Sequence, residues 1–279
     1  MTGLDLRELD AASFEELYTL WLDFALLIFP DQHLNNAEQV DFAGRFGDLE
    51  FDIAPLSNLR SDGRLRPEDG DDDVVKVLKG NMEWHCDSTY IPIQAKGAVF
   101  TAHVVPPSGG ETGWADMRAA YEALDDETRQ RIQDLSAFHS LHYSQGKLGH
   151  APGEQRRSAA EDPEAYSGYG FHIQDPPLRP LVKVHPETGR PSLLIGRHAY
   201  GIPGLGEAES ERLLADLVEF ACQPPRTHYH RWAPGDAVIW DNRCLLHRAT
   251  PWDMSEARVM YHSRIAGDRR SEFAPAGSA

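Results

Sequence analysis

Residues 228–265, HYHRWAPGDAVIWDNRCLLHRATPWDMSEARVMYHSRI, predict a β-rich fold because short apolar runs alternate with turn-forming residues. Strands are predicted at His228–Trp232, Ala237–Trp240 and Arg258–Ile265, with Pro, Gly and Asp residues between them. Working backwards from this stretch, apolar runs of similar length predict strands at Leu181–His185, Ser192–Ile195, Ala98–Val105, Val74–Leu78 and Ala25–Pro30.

Apolar residues at helical spacing predict helices mainly in the first half of the chain. Residues 13–27 have Ser13 as a candidate N-cap with Glu16 three positions later, which is the pattern of a capping box. The other predicted helices are Asn36–Phe46 with Gly47 as its stop, Asp116–Leu124, Asp125–Leu135 and Glu207–Cys222.

Early helices followed by many short strands are typical of an antiparallel double-sheet sandwich. We therefore predict a mainly β protein with helices, a double-stranded β-helix (jelly roll) core with helical insertions, in one catalytic domain of residues 1–279. Residues 144–176 are rich in Gly, Pro, Ser and charge, and we interpret them as an insertion and candidate lid. Residues 61–73 are predicted to be a solvated loop, and residues 268–279 a flexible, frayed tail.

The composition narrows the class of partner. The chain has 279 residues with 27 Lys and Arg against 44 Asp and Glu, a net charge of −17, which argues against nucleic acid or an anionic membrane. If the substrate is a small anion, the site needs local cations to oppose this field. Three cysteines without a CxxC pair favour a reduced, cytoplasmic setting, and neither a signal peptide nor a membrane span is expected.

A metal site is suggested by His85 and Asp87, two residues apart, because alternate residues of a strand share a face. With His247 as third ligand, two imidazoles and one carboxylate would occupy one face of an octahedral Fe(II) site and leave three positions open. The His-x-Asp pair is weak evidence alone, since the chain has 13 histidines and the alternative is a solvated loop pair.

Four ordered motifs together with the spacing of the ligands strengthen this interpretation. The motifs are WHCDSTY, GGETGWADMRAAYEAL, WDNRCLLHRAT and RVMYHSRIAGD, joined by LRPLVKVHPETGRPSLLIGRHAYGIPG. On these motifs the chain resembles the taurine/2,4-dichlorophenoxyacetate dioxygenase family over about residues 15–268, and is most similar to the branch that cleaves (S)-2-aryloxypropionate herbicides. The resemblance implies Fe(II), 2-oxoglutarate and O2 as cofactor and co-substrates, and homo-oligomers.

The resemblance assigns the remaining cofactor contacts. Arg258, eleven residues after His247, would pair with the far carboxylate of 2-oxoglutarate, and Thr112 in GGETG would add a hydrogen bond. The alternatives are a surface arginine and an ordinary strand threonine. Because Asp87 supplies a carboxylate ligand, hydroxylation is favoured over halogenation.

Substrate contacts are less well defined. Family analogy places Asn81 in the substrate pocket, and His262 stands where an arginine would bind a substrate anion. Further candidates are Arg264, Arg197 and Lys79, with a solvated or structural charge as the alternative for each.

The predicted reaction couples decarboxylation of 2-oxoglutarate, giving succinate and CO2, to hydroxylation of a small organic acid. With an aryloxyalkanoate the hydroxylated product collapses and the ether is cleaved, and no protein acid or base beyond the metal ligands is required. Two alternatives stay open: a sulfonate or alkyl sulfate dioxygenase, which His262 in place of arginine disfavours, and a non-catalytic jelly roll that binds a metal or small ligand.

Overall fold

The computed structural model describes residues 1–68, 72–149 and 175–277. Within them, no helix is both long enough and apolar enough to cross a membrane. The helices are α1 (Ala11–Phe24), α2 (Asn36–Gly44), α3 (Asp73–Gly80), α4 (Met117–Ala123), α5 (Asp126–Ile132), α6 (Leu141–Lys147), α7 (Glu207–Ala221) and α8 (Arg269–Glu272). The strands are β1 (Leu26–Phe29), β2 (Leu49–Ser57), β3 (Gly97–Val104), β4 (Thr112–Asp116), β5 (Ser136–His139), β6 (Leu178–Pro180), β7 (Val182–Val184), β8 (Pro191–Leu193), β9 (Ala199–Tyr200), β10 (Thr227–His230), β11 (Ala237–Asp241), β12 (Leu245–Ala249) and β13 (Val259–Ile265).

Two antiparallel sheets form the centre of the fold. The larger has the order β1-β11-β3-β13-β2 and the smaller the order β10-β4-β12. Their inner faces meet through Phe100, Trp240 and Met260 of the larger sheet and Trp114 and Leu245 of the smaller one. Smaller sheets, β6-β5-β9 and β7-β8, lie beside them. This arrangement is the predicted mainly β architecture with helical insertions.

Alternation along β11 explains how the larger sheet is covered on both faces. Val238 and Trp240 point inward, whereas Ala237 and Ile239 pack with α1 and α2 in a separate apolar cluster. Trp21 of α1 is fully buried there. Truncating such a residue to alanine typically costs about 3–5 kcal/mol, so the helices hold the sheet from outside.

The same alternation on β12 aims one functional side chain inward. His247 pairs in register with Trp114, whose ring belongs to the inner core, while the neighbouring Leu246 packs outward with Leu213 and Leu217 of α7. A shift of one residue would exchange these faces, so the apolar outer surface fixes the direction of His247.

Two predicted local structures are wrong. Residues Val74–Leu78 are part of helix α3, not a strand, because the Asp72 carboxylate caps the backbone N–H groups of Val74 and Val75. Helix α1 is capped by Asp10, which accepts from the Ser13 N–H, so Ser13 is not the N-cap. In both cases an aspartate upstream of the apolar run decided where the helix begins.

The expected frayed tail at residues 268–279 is also wrong as far as residue 277. Helix α8 lies there, Glu272 is buried in an ion pair with Lys183, and Phe273 forms a β-bridge with Ile93. The tail is ordered there because the buried Glu272 carboxylate has its own cation in Lys183. Of the candidate lid at 144–176, residues 150–174 lie outside the described part of the chain.

Candidate iron and 2-oxoglutarate site

The three predicted metal ligands converge between the two sheets. His85 and His247 form an isolated β-bridge, with the His85 N–H donating to the His247 carbonyl at 3.0 Å and the reverse bond at 2.8 Å. Asp87 begins the turn that follows. His247 Nε2 lies 3.6 Å from Asp87 Oδ2, His85 Nε2 lies 4.0 Å from Asp87 Oδ1, and all three ligand atoms lie within 4.8 Å of one another. Spacing of this kind can hold one divalent ion.

The histidines are prepared to act as neutral ligands. The Nδ1 of His85 hydrogen-bonds the Glu83 carbonyl at 2.7 Å, which fixes the ring and leaves Nε2 directed to the group. Burial lowers the pKa of His85, and the neighbouring His247 lowers it further. Burial also lowers the pKa of His247, although Asp87 opposes the shift. Both imidazoles are therefore uncharged at neutral pH.

Asp87 is held as a carboxylate by its neighbours. Burial alone would raise its pKa, but the neighbouring groups, with the Arg264 guanidinium as the largest cause, outweigh burial and lower the pKa. Its Oδ2 is buried and accepts no hydrogen bond from the described residues. A buried anionic oxygen without a donor is unfavourable unless a cation takes that place, so the chemistry of the group fits a metal.

Two predicted substrate contacts, Arg264 and His262, face this carboxylate. Arg264 Nη2 lies 3.2 Å from Asp87 Oδ1, and its Nη1 lies 3.6 Å from Glu50. Burial lowers the pKa of His262 to about 3, so His262 carries no charge at neutral pH. The structure thus places Arg264 as an internal partner of the metal ligand, and it does not support His262 as a cation for a substrate anion.

Arg258 differs from Arg264 because its guanidinium has no carboxylate partner among the described residues. The side chain is buried, its Nε donates to the Gly110 carbonyl at 3.2 Å, and it lies over the Trp252 ring at 5.2 Å. Burial lowers its pKa to about 10. Gly110 has φ +69, and a Cβ there would lie 3.2 Å from the Arg258 side chain, so only glycine allows this approach.

A cavity of about 890 Å³ connects these groups. Thr112, with its hydroxyl accepting from Trp232 Nε1 at 3.0 Å, lines it together with Asn81 and Arg197. Lys79 is not among the lining residues, and its ammonium group contacts Glu68 instead. The structure therefore does not support the prediction that Lys79 binds substrate.

Some lining residues were missed by sequence reasoning. Glu50 and Phe51 belong to β2, whose strand was not predicted because its apolar alternation is poor. Arg248 lines the cavity and lies 4.8 Å over the Trp84 ring. Its position directly after His247 in the sequence could have indicated that it lies close to the site.

A second His–Asp–Cys group, at His185, Asp241 and Cys244, is occupied by protein contacts. Asp241 forms a bidentate ion pair with Arg243 and accepts from His185 at 3.0 Å. Both oxygens of the Asp241 carboxylate accept hydrogen bonds, whereas Asp87 Oδ2 has no donor among the described residues, which separates the two groups.

Comparisons with known proteins agree with this geometry. The family model described as taurine catabolism dioxygenase TauD, TfdA family, matches residues 2–264. The (S)-phenoxypropionate/alpha-ketoglutarate-dioxygenase of Sphingobium herbicidovorans is 63% identical, over 98% of this chain and 93% of its own length. An enzyme of the same name from Delftia acidovorans is 57% identical, over 98% of this chain and 93% of its own. The crystal structure of AAD-2 in complex with Mn(II) and N-oxalylglycine superposes with a TM-score of 0.86 at 37% identity, covering 100% of this chain and 95% of that one.

Proposed function

The chain belongs to the TauD/TfdA dioxygenase family, and from this premise we propose that it is a 2-oxoglutarate-dependent, non-haem iron dioxygenase of aryloxyalkanoates. (S)-2-aryloxypropionates are the favoured substrates, by likeness to the two relatives above. One observation carries the proposal. Among the described residues, the buried cation Arg258 has no carboxylate partner, and it shares a cavity with a His–Asp–His group in which no described residue donates to Asp87 Oδ2.

The residues present fit the cofactors that this family uses. His85, Asp87 and His247 would hold Fe(II), which supplies activation of O2 together with 2-oxoglutarate. Arg258 would bind the far carboxylate of 2-oxoglutarate through its planar fork, with Thr112 as a second contact. The 2-oxoglutarate dianion would thereby provide the counter-charge that the described part of the chain does not give the buried guanidinium.

The remainder of the cavity suits an aromatic acid. Apolar and aromatic side chains form much of its wall, among them Phe51, Val77, Leu78, Tyr90 and Leu141. A cavity of about 890 Å³ falls in the range of small-molecule sites and has room for both the co-substrate and an aryl group. Aryl burial would exclude water from the reacting carbon, which is a role for the protein that needs no acid or base.

We assign the substrate carboxylate to Arg197. Its side chain lines the cavity, and its Nη2 donates to Gln145 Oε1 at 2.6 Å and to Ser144 Oγ at 3.4 Å. The backbone N–H of Arg197 donates to the Trp84 carbonyl at 2.9 Å, which places this residue beside the metal motif. A cavity with several arginines inside a chain of net charge −17 also concentrates anions locally.

The reaction balances without a protein nucleophile. Hydroxylation of the carbon that bears the ether oxygen gives a hemiketal, whose hydroxyl proton passes to the departing aryloxide as the C–O bond breaks. The products are a phenol, a 2-oxo acid, succinate and CO2, with one O2 consumed. The protein's contribution is to bind both anions and to orient that carbon toward the metal ligands.

The test is a screen for succinate release with aryloxyalkanoates, sulfonates and alkyl sulfates. We expect turnover with (S)-2-aryloxypropionates and release of the phenol in equal amount. Turnover restricted to sulfonates or alkyl sulfates would overturn the substrate proposal. An absence of succinate with every substrate, and of the visible Fe(II)–2-oxoglutarate band under anaerobic conditions, would favour a non-catalytic binding protein.

A matched pair of variants tests the carboxylate contact. Arg197→Gln should raise the KM for the aryloxy acid on the order of 10- to 100-fold, because a charged hydrogen bond of about 1.5–3 kcal/mol is lost. The KM for 2-oxoglutarate should stay unchanged. Lys79→Gln, outside the cavity, serves as the control and should leave both constants as they are. Equal effects of the two substitutions would refute the assignment.

We further propose a cytoplasmic homo-oligomer. Three free thiols, of which Cys86 and Cys244 are buried, suit a reducing compartment. Association is expected from the family resemblance alone, and light scattering after gel filtration measures it directly.

A further inference from the structure

Asn242 is fully buried, and its side chain is bonded to the main chain of the metal ligand Asp87. The Asp87 N–H donates to Asn242 Oδ1 at 2.9 Å, and Asn242 Nδ2 donates back to the Asp87 carbonyl at 2.9 Å. Asp87 lies in a turn outside the strands, where a buried backbone group needs a partner from elsewhere. One carboxamide supplies both the donor and the acceptor.

Asn242 directly follows β11 and is itself fixed by the segment that precedes β3. Its N–H donates to the Lys96 carbonyl at 3.1 Å, and its own carbonyl accepts from Gln94 Nε2 at 3.1 Å. The residue after the metal ligand, Ser88, has φ +57, a left-handed conformation that costs energy outside glycine. The carboxamide therefore ties a strained turn to a rigid sheet.

Asn58 makes a similar contact with the main chain of Arg258, the residue proposed to bind 2-oxoglutarate. It is fully buried, and its Oδ1 accepts from the Arg258 N–H at 2.8 Å, while its own N–H donates to the Arg258 carbonyl at 3.3 Å. Its Nδ2 donates to the carbonyls of Met254 and Glu256 at 3.0 and 2.8 Å. The carboxamide thus holds the turn from which β13 starts.

We propose that these two asparagines are positioning residues with separate effects. Asn242 fixes Asp87 for metal binding, and Asn58 fixes Arg258 for 2-oxoglutarate binding. The second half rests on the role proposed above for Arg258. Neither asparagine lines the cavity, so each acts through the main chain of the residue that does. Losing such support typically weakens metal binding by 10- to 100-fold, since the ligand is no longer held in place.

The experiment compares Asn242→Ala and Asn58→Ala with the full-length wild type. Mn(II) binding is titrated by electron paramagnetic resonance without 2-oxoglutarate, and 2-oxoglutarate binding is then measured by calorimetry at saturating Mn(II). Asn242→Ala should raise the Mn(II) dissociation constant on the order of 10- to 100-fold. Asn58→Ala should leave it within about twofold and raise the 2-oxoglutarate constant on the order of 10-fold or more.

Each variant is the control for the other, because both remove a fully buried carboxamide with three or more hydrogen bonds. The ligand-induced rise in Tm, taken relative to each variant without ligand, separates a loss of binding from a loss of stability. If an alanine variant does not fold, the serine variant, which keeps one polar group, replaces it. The same dissociation constants should then rise, but by a smaller factor.

The proposal would be overturned if both substitutions weakened the binding of Mn(II) and of 2-oxoglutarate equally, or if the dissociation constants stayed unchanged. Arg258→Ala distinguishes the two levels of inference. If it weakens 2-oxoglutarate binding strongly while Asn58→Ala does not, the positioning role fails and the function stands. If neither substitution has an effect, the assignment of Arg258 fails as well.

Discussion

Replacing Arg258 with methionine should stabilise the ligand-free protein and abolish tight binding of 2-oxoglutarate. The two effects have opposite signs because the guanidinium is buried without a carboxylate partner among the described residues. Burying such a charge lowers the free energy of unfolding, and binding of an anion offsets this loss. Methionine has a similar length and fills the space without the charge.

The size of the gain follows from the pKa of Arg258. Burial lowers that pKa from the ordinary arginine value to about 10. At 1.36 kcal/mol for each pKa unit, the difference corresponds to a cost of roughly 3 kcal/mol. Methionine forfeits the bond to the Gly110 carbonyl, about 1 kcal/mol, and the stacking on Trp252, about another 1 kcal/mol. A net gain of about 1 kcal/mol remains, or about 2–4 °C in Tm.

The pH dependence of this gain has a definite sign. A cationic group whose folded pKa lies below its unfolded pKa destabilises the fold at all pH values below the folded pKa, and the cost declines only as the pH rises from about 10 toward the unfolded pKa. Between pH 7 and 9, the difference in unfolding free energy between Arg258→Met and wild type should therefore be constant.

Chemical unfolding without ligand and calorimetry with 2-oxoglutarate at saturating Mn(II) measure the two effects. The dissociation constant of 2-oxoglutarate should rise by roughly two to three decades, since breaking a buried ion pair costs about 3–5 kcal/mol. A variant that is less stable than wild type and still binds 2-oxoglutarate normally would show that a protein group, not the co-substrate, neutralises Arg258.

Two further substitutions separate the cations of the site. Gly110→Ala places a Cβ 3.2 Å from the Arg258 side chain and should weaken 2-oxoglutarate binding. Gly63→Ala is the control, because Gly63 also has a positive φ (+82) but a Cβ there would have no heavy atom within 4 Å. It should cost similar backbone strain, about 1–2 kcal/mol, and leave 2-oxoglutarate binding unchanged. Arg264→Gln removes the cation 3.2 Å from Asp87 and should raise the Mn(II) dissociation constant on the order of 10-fold with an unchanged KM for the aryloxy acid. A higher KM with normal Mn(II) binding would restore Arg264 as a substrate contact.

The group of His85, Asp87 and His247 could be predicted from the sequence because four ordered motifs and the spacing of these residues support the otherwise weak His-x-Asp pair. His85 and Asp87 are two residues apart, and the apolar alternation around His247 fixes which face it occupies. Helix α3 could not be recognised from Val74–Leu78, whose β-branched residues favour a strand, because the Asp72 cap and the burial of Val75 and Leu78 outweigh propensity. Tertiary packing, together with the cap, therefore makes this segment helical.

The partners of charged residues were the least predictable part of the site. Spacing placed His262 and Arg264 on one face of β13, and both do lie against Asp87. No local pattern says, however, that Glu50, more than two hundred residues earlier, supplies a second carboxylate for Arg264. Asn58 and Asn242 were missed for the same reason, since a buried carboxamide is recognised only by what it bonds.

Internal pairing decides which of two similar arginines is available to a ligand. Arg258 and Arg264 lie on or next to the same strand, both are buried and both line the cavity. Arg264 is neutralised by Asp87 and Glu50, whereas among the described residues the Arg258 guanidinium contacts only the Gly110 carbonyl and aromatic faces. Strong negative charge over the whole chain need not oppose binding of an anion at Arg258, because no carboxylate of residues 1–68, 72–149 and 175–277 forms an ion pair with this guanidinium. If Arg258 binds 2-oxoglutarate as proposed above, the affinity would depend on this lack of an internal carboxylate partner in the described part of the chain.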